Sequence, residues 1–105
     1  MHGNDKRNSN PHHLYDIFRS SNHDTFKYGI SDDPIDEDGL SARARDQLEA
    51  LNLAAEYQKF DAEILVADIP GRQKALAIER AYIDAYYEQH GHNPVGNKFP
   101  MRKMP

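Results

Sequence analysis

"LYDIFRSSNHDTFKYGIS", residues 14–31, decides how the rest of the chain must be folded. Two runs rich in β-branched and aromatic residues, "LYDIFRS" and "TFKYGIS", flank the turn-type cluster "SNHD", which is the pattern of a β-hairpin. Alternation along the first strand puts Tyr15, Ile17 and Arg19 on one face. On the second it puts Thr25, Lys27 and Gly29 on one face and Phe26, Tyr28 and Ile30 on the other. A glycine inside a strand often marks the close approach of a ligand or of another part of the chain. Lys27, two residues earlier on the same face, then projects beside whatever approaches. The plainer reading makes Lys27 an edge-strand charge that discourages aggregation and Tyr28 a core aromatic.

Upstream, residues 1–13 are polar and read as a flexible linker, so the folded domain is expected over 14–105; the adjacent His12 and His13 carry little weight on such a segment. Downstream, "DDPIDEDG" is a loop set by Pro34 and Gly39. A helix should start with Ser41 as its N-cap and run to about Tyr57, with Ala44, Leu48, Leu51 and Ala55 as its apolar stripe. "DAEILVADI" reads as a third strand whose continuous apolar centre points to burial on both faces. A second helix spans Arg72 to about His90 and closes on Gly91. The tail "HNPVGNKFPMRKMP" is turn-rich, with at most a short strand near "NKF". Hairpin, helix, strand, helix is a small α/β domain, one sheet flanked by helices.

A chain of 105 residues supports a single core, so any activity comes from one compact site. The hydrophobic fraction of 38% and mean hydropathy of −0.89 make it globular but lean. It has no cysteine, which excludes disulfides, thiolate metal sites and cysteine nucleophiles. No apolar run approaches the roughly 18–20 residues of a membrane span, and the N-terminal stretch has no secretory-signal core, so no membrane insertion is expected. The formal net charge is −4, but it is unevenly spread. Five carboxylates (Asp32, Asp33, Asp36, Glu37, Asp38) share one loop, and setting them aside changes the balance from −4 to +1. Arg43, Arg45, Arg72, Lys74, Lys98, Arg102 and Lys103 then remain to meet phosphate.

Two helical residues stand out. Stepping by three and four from Glu79 reaches Ala75, Tyr82 and Tyr86, which places a carboxylate on or beside the apolar face. Such a group needs an arginine, a metal or a hydrogen-bond network as partner, because an unpaired buried carboxylate costs several kcal/mol. In the first helix Arg43 falls with Gln47, Ala50 and Ala54, flanking the Leu48/Leu51 stripe, so it can face the sheet. Arg45 falls with Glu49, Asn52 and Glu56 on the solvated side. A simple ion pair between Glu79 and an arginine satisfies the same pattern.

Taken together, Tyr15 in "LYDIF", the motif "KYGIS", Arg43 in "SARARDQ", Glu79 in "ALAIERAY" and Asn97 in "PVGNKFP" occur in the order seen in the GIY-YIG nuclease superfamily, which the chain resembles from residue 14 to about 100. Lys27 stands where the second tyrosine of that family usually stands, as in a Lys-Ile-Gly branch of the superfamily, and Tyr28 replaces the middle apolar residue. The chain also looks similar to C-terminal toxin domains of bacterial polymorphic toxins.

The resemblance implies a metal-dependent endonuclease, with DNA favoured over RNA as substrate. Tyr15 or Lys27 would activate water, Arg43 would contact the phosphate, Glu79 would bind Mg²⁺ or Mn²⁺, and Asn97 would hold the site together. It further implies a bacterial toxin effector, delivered by a secreted parent protein into the target-cell cytoplasm and neutralised by a cognate immunity protein. The acidic loop is either plain solvated surface or a face for that partner. The alternatives are a catalytically inactive nucleic-acid- or protein-binding module on the same fold, and an interaction module in which Glu79 and Arg43 form only an internal ion pair. His23, His90 and His92 are open between site and surface roles, the last two being well placed near a helix C-terminus.

Overall fold

The computed structural model describes residues 9–97. The elements are β1 (Pro11–Arg19), β2 (Thr25–Ser31), α1 (Ala42–Ala55), β3 (Phe60–Pro70) and α2 (Arg72–His90). The hairpin turn closes through Arg19 N–H donating to the Asp24 carbonyl at 2.9 Å, with His23 in the left-handed region at φ 61°. Three strands form one antiparallel sheet in the order β2-β1-β3. The fold is thus the α/β sheet with flanking helices that the sequence implies.

Two departures follow from β1 being the central strand. It begins at Pro11, so residues 11–13, which the sequence assigns to a flexible linker, are strand, and His12 and His13 are both buried. Burial lowers the pKa of His13, and the ring meets the Ser41 hydroxyl at 2.9 Å. Residues 1–8 and the far end of the tail, with Lys98, Phe99, Arg102 and Lys103, lie outside the described residues.

The second departure concerns β3. Ile64 packs with one core cluster and Leu65 and Val66 with the other, so both faces are covered, yet all three are only half-buried. An edge strand leaves one flank open. The fully enclosed strand is β1, where Leu14, Tyr15 and Ile17 are 0% exposed; each such side chain contributes about 1.5–3 kcal/mol by leaving water.

Alternation of side chains along β1 sends the two clusters to opposite faces of the sheet. Tyr15 and Ile17 join Ala44, Leu48 and Leu51 of α1 on one face. Leu14 and Ile30 join Ala75, Leu76, Ile78 and Tyr82 of α2 on the other. Ser41 caps α1 by accepting the Ala44 N–H at 3.3 Å. Asp33 Oδ2 accepts the Arg43 N–H at 3.1 Å and adds a second contact in that first turn. Glu56, in the left-handed region, ends α1 two residues short of Tyr57, and Gly91 ends α2 as its sequence position implies. No helix among the described residues is long and apolar enough to cross a membrane.

Candidate active site

The chain leaves α2 and turns back along the outer edge of β2. Gly96 N–H donates to the Phe26 carbonyl at 2.8 Å. The Asn97 side chain then behaves like a missing strand residue: its Oδ1 accepts the Tyr28 N–H and its Nδ2 donates to the Tyr28 carbonyl, both at 2.8 Å. An edge that would otherwise expose unpaired backbone groups is closed at this point.

Next to that closure lies a cavity of about 830 Å³ whose lining includes Tyr15, Lys27, Arg43, Glu79 and Asn97. Five residues from β1, β2, α1, α2 and the tail therefore reach one space, although α1 and α2 cover opposite faces of the sheet. Gly29 makes the arrangement possible. Tyr15 and Gly29 are direct cross-strand partners, and a Cβ at residue 29 would fall within the Tyr15 ring, 2.8 Å from Cε1 and closer still to Cζ and the hydroxyl. The tyrosine lies over the glycine.

Each polar group is set by its surroundings. The Tyr15 hydroxyl donates to Gln47 Oε1 at 2.7 Å. Burial raises its pKa and the nearby Arg43 guanidinium draws it down, so the phenol is protonated at neutral pH. Burial, then the positive charge of Arg43, lowers the Lys27 ammonium, while Glu79 holds it up. Glu79 is only 8% exposed. Burial raises its carboxyl above the ordinary range, against the pull of Lys27, Arg72 and Arg43. These are the groups expected where charge is handled away from bulk water.

Arg43 is exposed, yet it faces the sheet as its helical position suggests: it lines the cavity and its guanidinium reaches the Tyr15 hydroxyl of β1. Arg45 is half-buried and engaged: it pairs with Asp36 at 2.9 Å and Asp38 at 3.0 Å. It stays on the solvated side, away from the cavity, and its pairing with the exposed loop reduces the charge that loop can offer a partner. His90 stacks on Tyr86 at 4.0 Å, and neither His90 nor His92 lines the cavity.

Asp46, Gln47 and Arg72 also line the cavity, and none of them stands out in the sequence as a site residue. Gln47 orients Tyr15, and its signal was its position four residues after Arg43 on the same helical face. Arg72 begins α2, lines the cavity, and has a buried Nε with no hydrogen-bond partner among the described residues. Nothing in its local sequence distinguishes it from a surface arginine.

A model of the toxin family described as URI fold toxin 2 matches residues 5–91. The chain belongs to that family. It is a toxin domain of the polymorphic-toxin type, in keeping with a secreted bacterial toxin. The URI fold toxin 2 match covers β1 to the end of α2 and so includes Tyr15, Lys27, Arg43 and Glu79; Asn97 falls beyond it. Neither a curated protein nor a solved structure matches the chain.

Glu79 suits a hard divalent ion of the Mg²⁺ kind. It presents one carboxylate to a cavity large enough for several waters, and Mg²⁺ is commonly held by one or two carboxylates while keeping much of its hydration shell. Among the described residues Glu79 is not part of a cluster of three metal-ligating side chains, so a fully protein-made cage is not what this site offers.

Proposed function

We propose that this toxin domain is a GIY-YIG-type endonuclease that hydrolyses phosphodiester bonds, with DNA as the favoured substrate. The observation that carries the reading is the convergence of Tyr15, Lys27, Arg43, Glu79 and Asn97, from five separate segments, on one cavity.

Hydrolysis of a phosphodiester needs an activated water, neutralisation of charge on the phosphoryl oxygens and stabilisation of the leaving oxygen. Arg43 and Arg72 supply fixed positive charge for a phosphate, and a guanidinium can bond it through two N–H groups at once. Tyr15, held by Gln47 over Gly29, orients the water through its hydroxyl. Lys27, whose lowered pKa brings the neutral amine within easier reach, accepts the proton. Glu79 would hold a Mg²⁺ or Mn²⁺ ion, which would supply Lewis-acid polarisation of the phosphate and charge for the leaving oxygen. Asn97 keeps β2 and the tail in register beside the site.

The test is incubation of the purified domain with supercoiled plasmid and with total RNA, each with Mg²⁺, Mn²⁺ or EDTA. Plasmid nicking that EDTA abolishes is expected; cleavage of RNA alone would move the substrate, and no cleavage of either would overturn the reading. Tyr15→Phe removes the oriented hydroxyl and keeps the ring in place. Its cleavage rate should fall roughly 10²-fold, within the range of a positioned proton-transfer group, while its thermal midpoint changes little. A Tyr15→Phe protein cutting at the wild-type rate would leave water activation to Lys27.

In its biological setting the domain is delivered by a secreted parent protein, acts in the cytoplasm of a target cell, and is held inactive by a cognate immunity protein. A second reading, a phosphate-binding module without turnover, draws on the three cations around Glu79. Binding of oligonucleotide that is indifferent to EDTA, without cleavage, would favour it.

A further inference from the structure

Asp16, one residue from Tyr15, points to the other face of the sheet and takes no part in the cavity. It is 5% exposed, and its Oδ1 is buried without a hydrogen-bond partner among the described residues. Directly across the β1–β3 pairing stands Glu63, and two carboxylates placed opposite one another on neighbouring strands repel. The third group is His23, from the β1–β2 turn. Its ring stacks on Phe18 at 3.8 Å and its Nε2 lies 3.3 Å from Glu63 Oε2. One ligand atom from each of Asp16, His23 and Glu63 lies within 4.8 Å of the other two.

We propose that Asp16, His23 and Glu63 form a zinc site, separate from the Glu79 cavity, that ties the hairpin turn to β3. One imidazole nitrogen and two carboxylate oxygens are a donor set that Zn²⁺ takes readily, whereas Mg²⁺ prefers oxygen throughout. The orphaned Asp16 oxygen and the opposed Glu63 charge both gain a counter-charge. Burial pushes the Asp16 carboxyl up to about 6, with a Thr25 hydrogen bond and His23 only partly offsetting it and Glu63 adding to it. Tetrahedral ligands about 2.0–2.2 Å from zinc stand roughly 3.3–3.6 Å apart, a spacing that His23 Nε2 and Glu63 Oε2 already have at 3.3 Å and that atoms within 4.8 Å of one another reach by small side-chain movements. The side chains of His23 and Glu63, 63% and 43% exposed, have the freedom to close in. Three protein ligands leave a fourth position to water.

The test titrates Zn²⁺ into the EDTA-stripped, dialysed full chain, reading heat of binding and thermal midpoint. One Zn²⁺ per chain is expected to bind and raise the midpoint by several degrees, with Mg²⁺ producing no such rise. Asp16→Asn, which keeps size and removes charge, and His23→Ala, at an exposed turn residue, should each weaken Zn²⁺ binding at least about 10-fold. Glu79→Gln should leave it unchanged. Full zinc affinity in either of the first two variants, or loss of binding in Glu79→Gln, or no zinc binding by the wild type, overturns the proposal.

Discussion

Glu79→Gln is expected to lower metal-dependent cleavage on the order of 10³-fold and, at pH 8, to make the protein more stable than the wild type. The loss follows from the proposed role of the carboxylate. An ion positioned on it contributes several kcal/mol to the transition state, and each 1.36 kcal/mol is a factor of ten in rate.

The gain in stability follows from burial. The folded state holds the Glu79 proton more tightly than the unfolded chain does, because burial raises its pKa above 4.5 despite Lys27, Arg72 and Arg43. For an acid shifted in that direction, the wild type benefits fully below pH 4.5 and loses the benefit as pH rises through the folded-state value. Above that value the wild type carries an ionised carboxylate in a poorly solvated place and the glutamine does not. Thermal melts of the two proteins should therefore nearly coincide at pH 4 and separate by a few degrees in favour of the variant at pH 8. A variant that cuts at the wild-type rate removes Glu79 from the mechanism. One that melts lower at pH 8 shows that its three cationic neighbours outweigh its burial.

The same local balance explains what was legible in the sequence. Strand and helix identities were readable because hydrophobic periodicity and caps are local: the "SNHD" turn, Ser41 and Gly91 each act within a few residues. What depends on neighbours distant in sequence was not. His12 and His13 read as part of a polar tail, yet they enter the central strand because β2 and β3 both pair with β1, and the hydroxyl that satisfies His13 is 28 residues away. The apolar run of β3 gave its two-sided packing but not its edge position, since strand order is invisible to composition. Helical phase puts Arg45 on the solvated side, where it lies, but only the fold of the acidic loop brings Asp36 and Asp38 to it.

At the site, Glu79 and Gly29 were noticeable because each violates a local expectation, a charge on an apolar face and a glycine in a strand. Arg72 violates none: the sequence offers it only as one of seven cations for a phosphate, and its buried Nε, without a partner among the described residues, sets it apart. Asp16 violates one too, as a charge in the middle of a β-rich run. Its partners, Glu63 on β3 and His23 in the turn, come to it only through strand pairing, which local sequence does not reveal.

Gly29→Ala should be among the most damaging single changes in this domain, against what strand preference alone implies. Alanine ordinarily improves on glycine in a strand by about 0.5–1 kcal/mol, because glycine loses more backbone freedom on folding. Gly29 has no positive φ that would demand glycine, so its necessity is one of space: the Tyr15 ring occupies the volume of a Cβ. Tyr15 is 0% exposed and bonded to Gln47, so the ring cannot withdraw freely. Overpacking of this kind costs about 1–3 kcal/mol, and each kcal/mol lowers the midpoint of a domain this size by about 4–8 °C. Displacement of the hydroxyl by about 1 Å should cost cleavage a further factor of about 10².

Because the clash is with one side chain, it should disappear when that side chain is removed. In a Tyr15→Ala background, itself destabilised by loss of a core aromatic, adding Gly29→Ala should cost little or restore some stability. The two changes should therefore couple by 1 kcal/mol or more in a double-mutant cycle, on the order seen for residues in direct contact. Additive effects in that cycle would mean that Gly29 is required by the backbone and not by Tyr15.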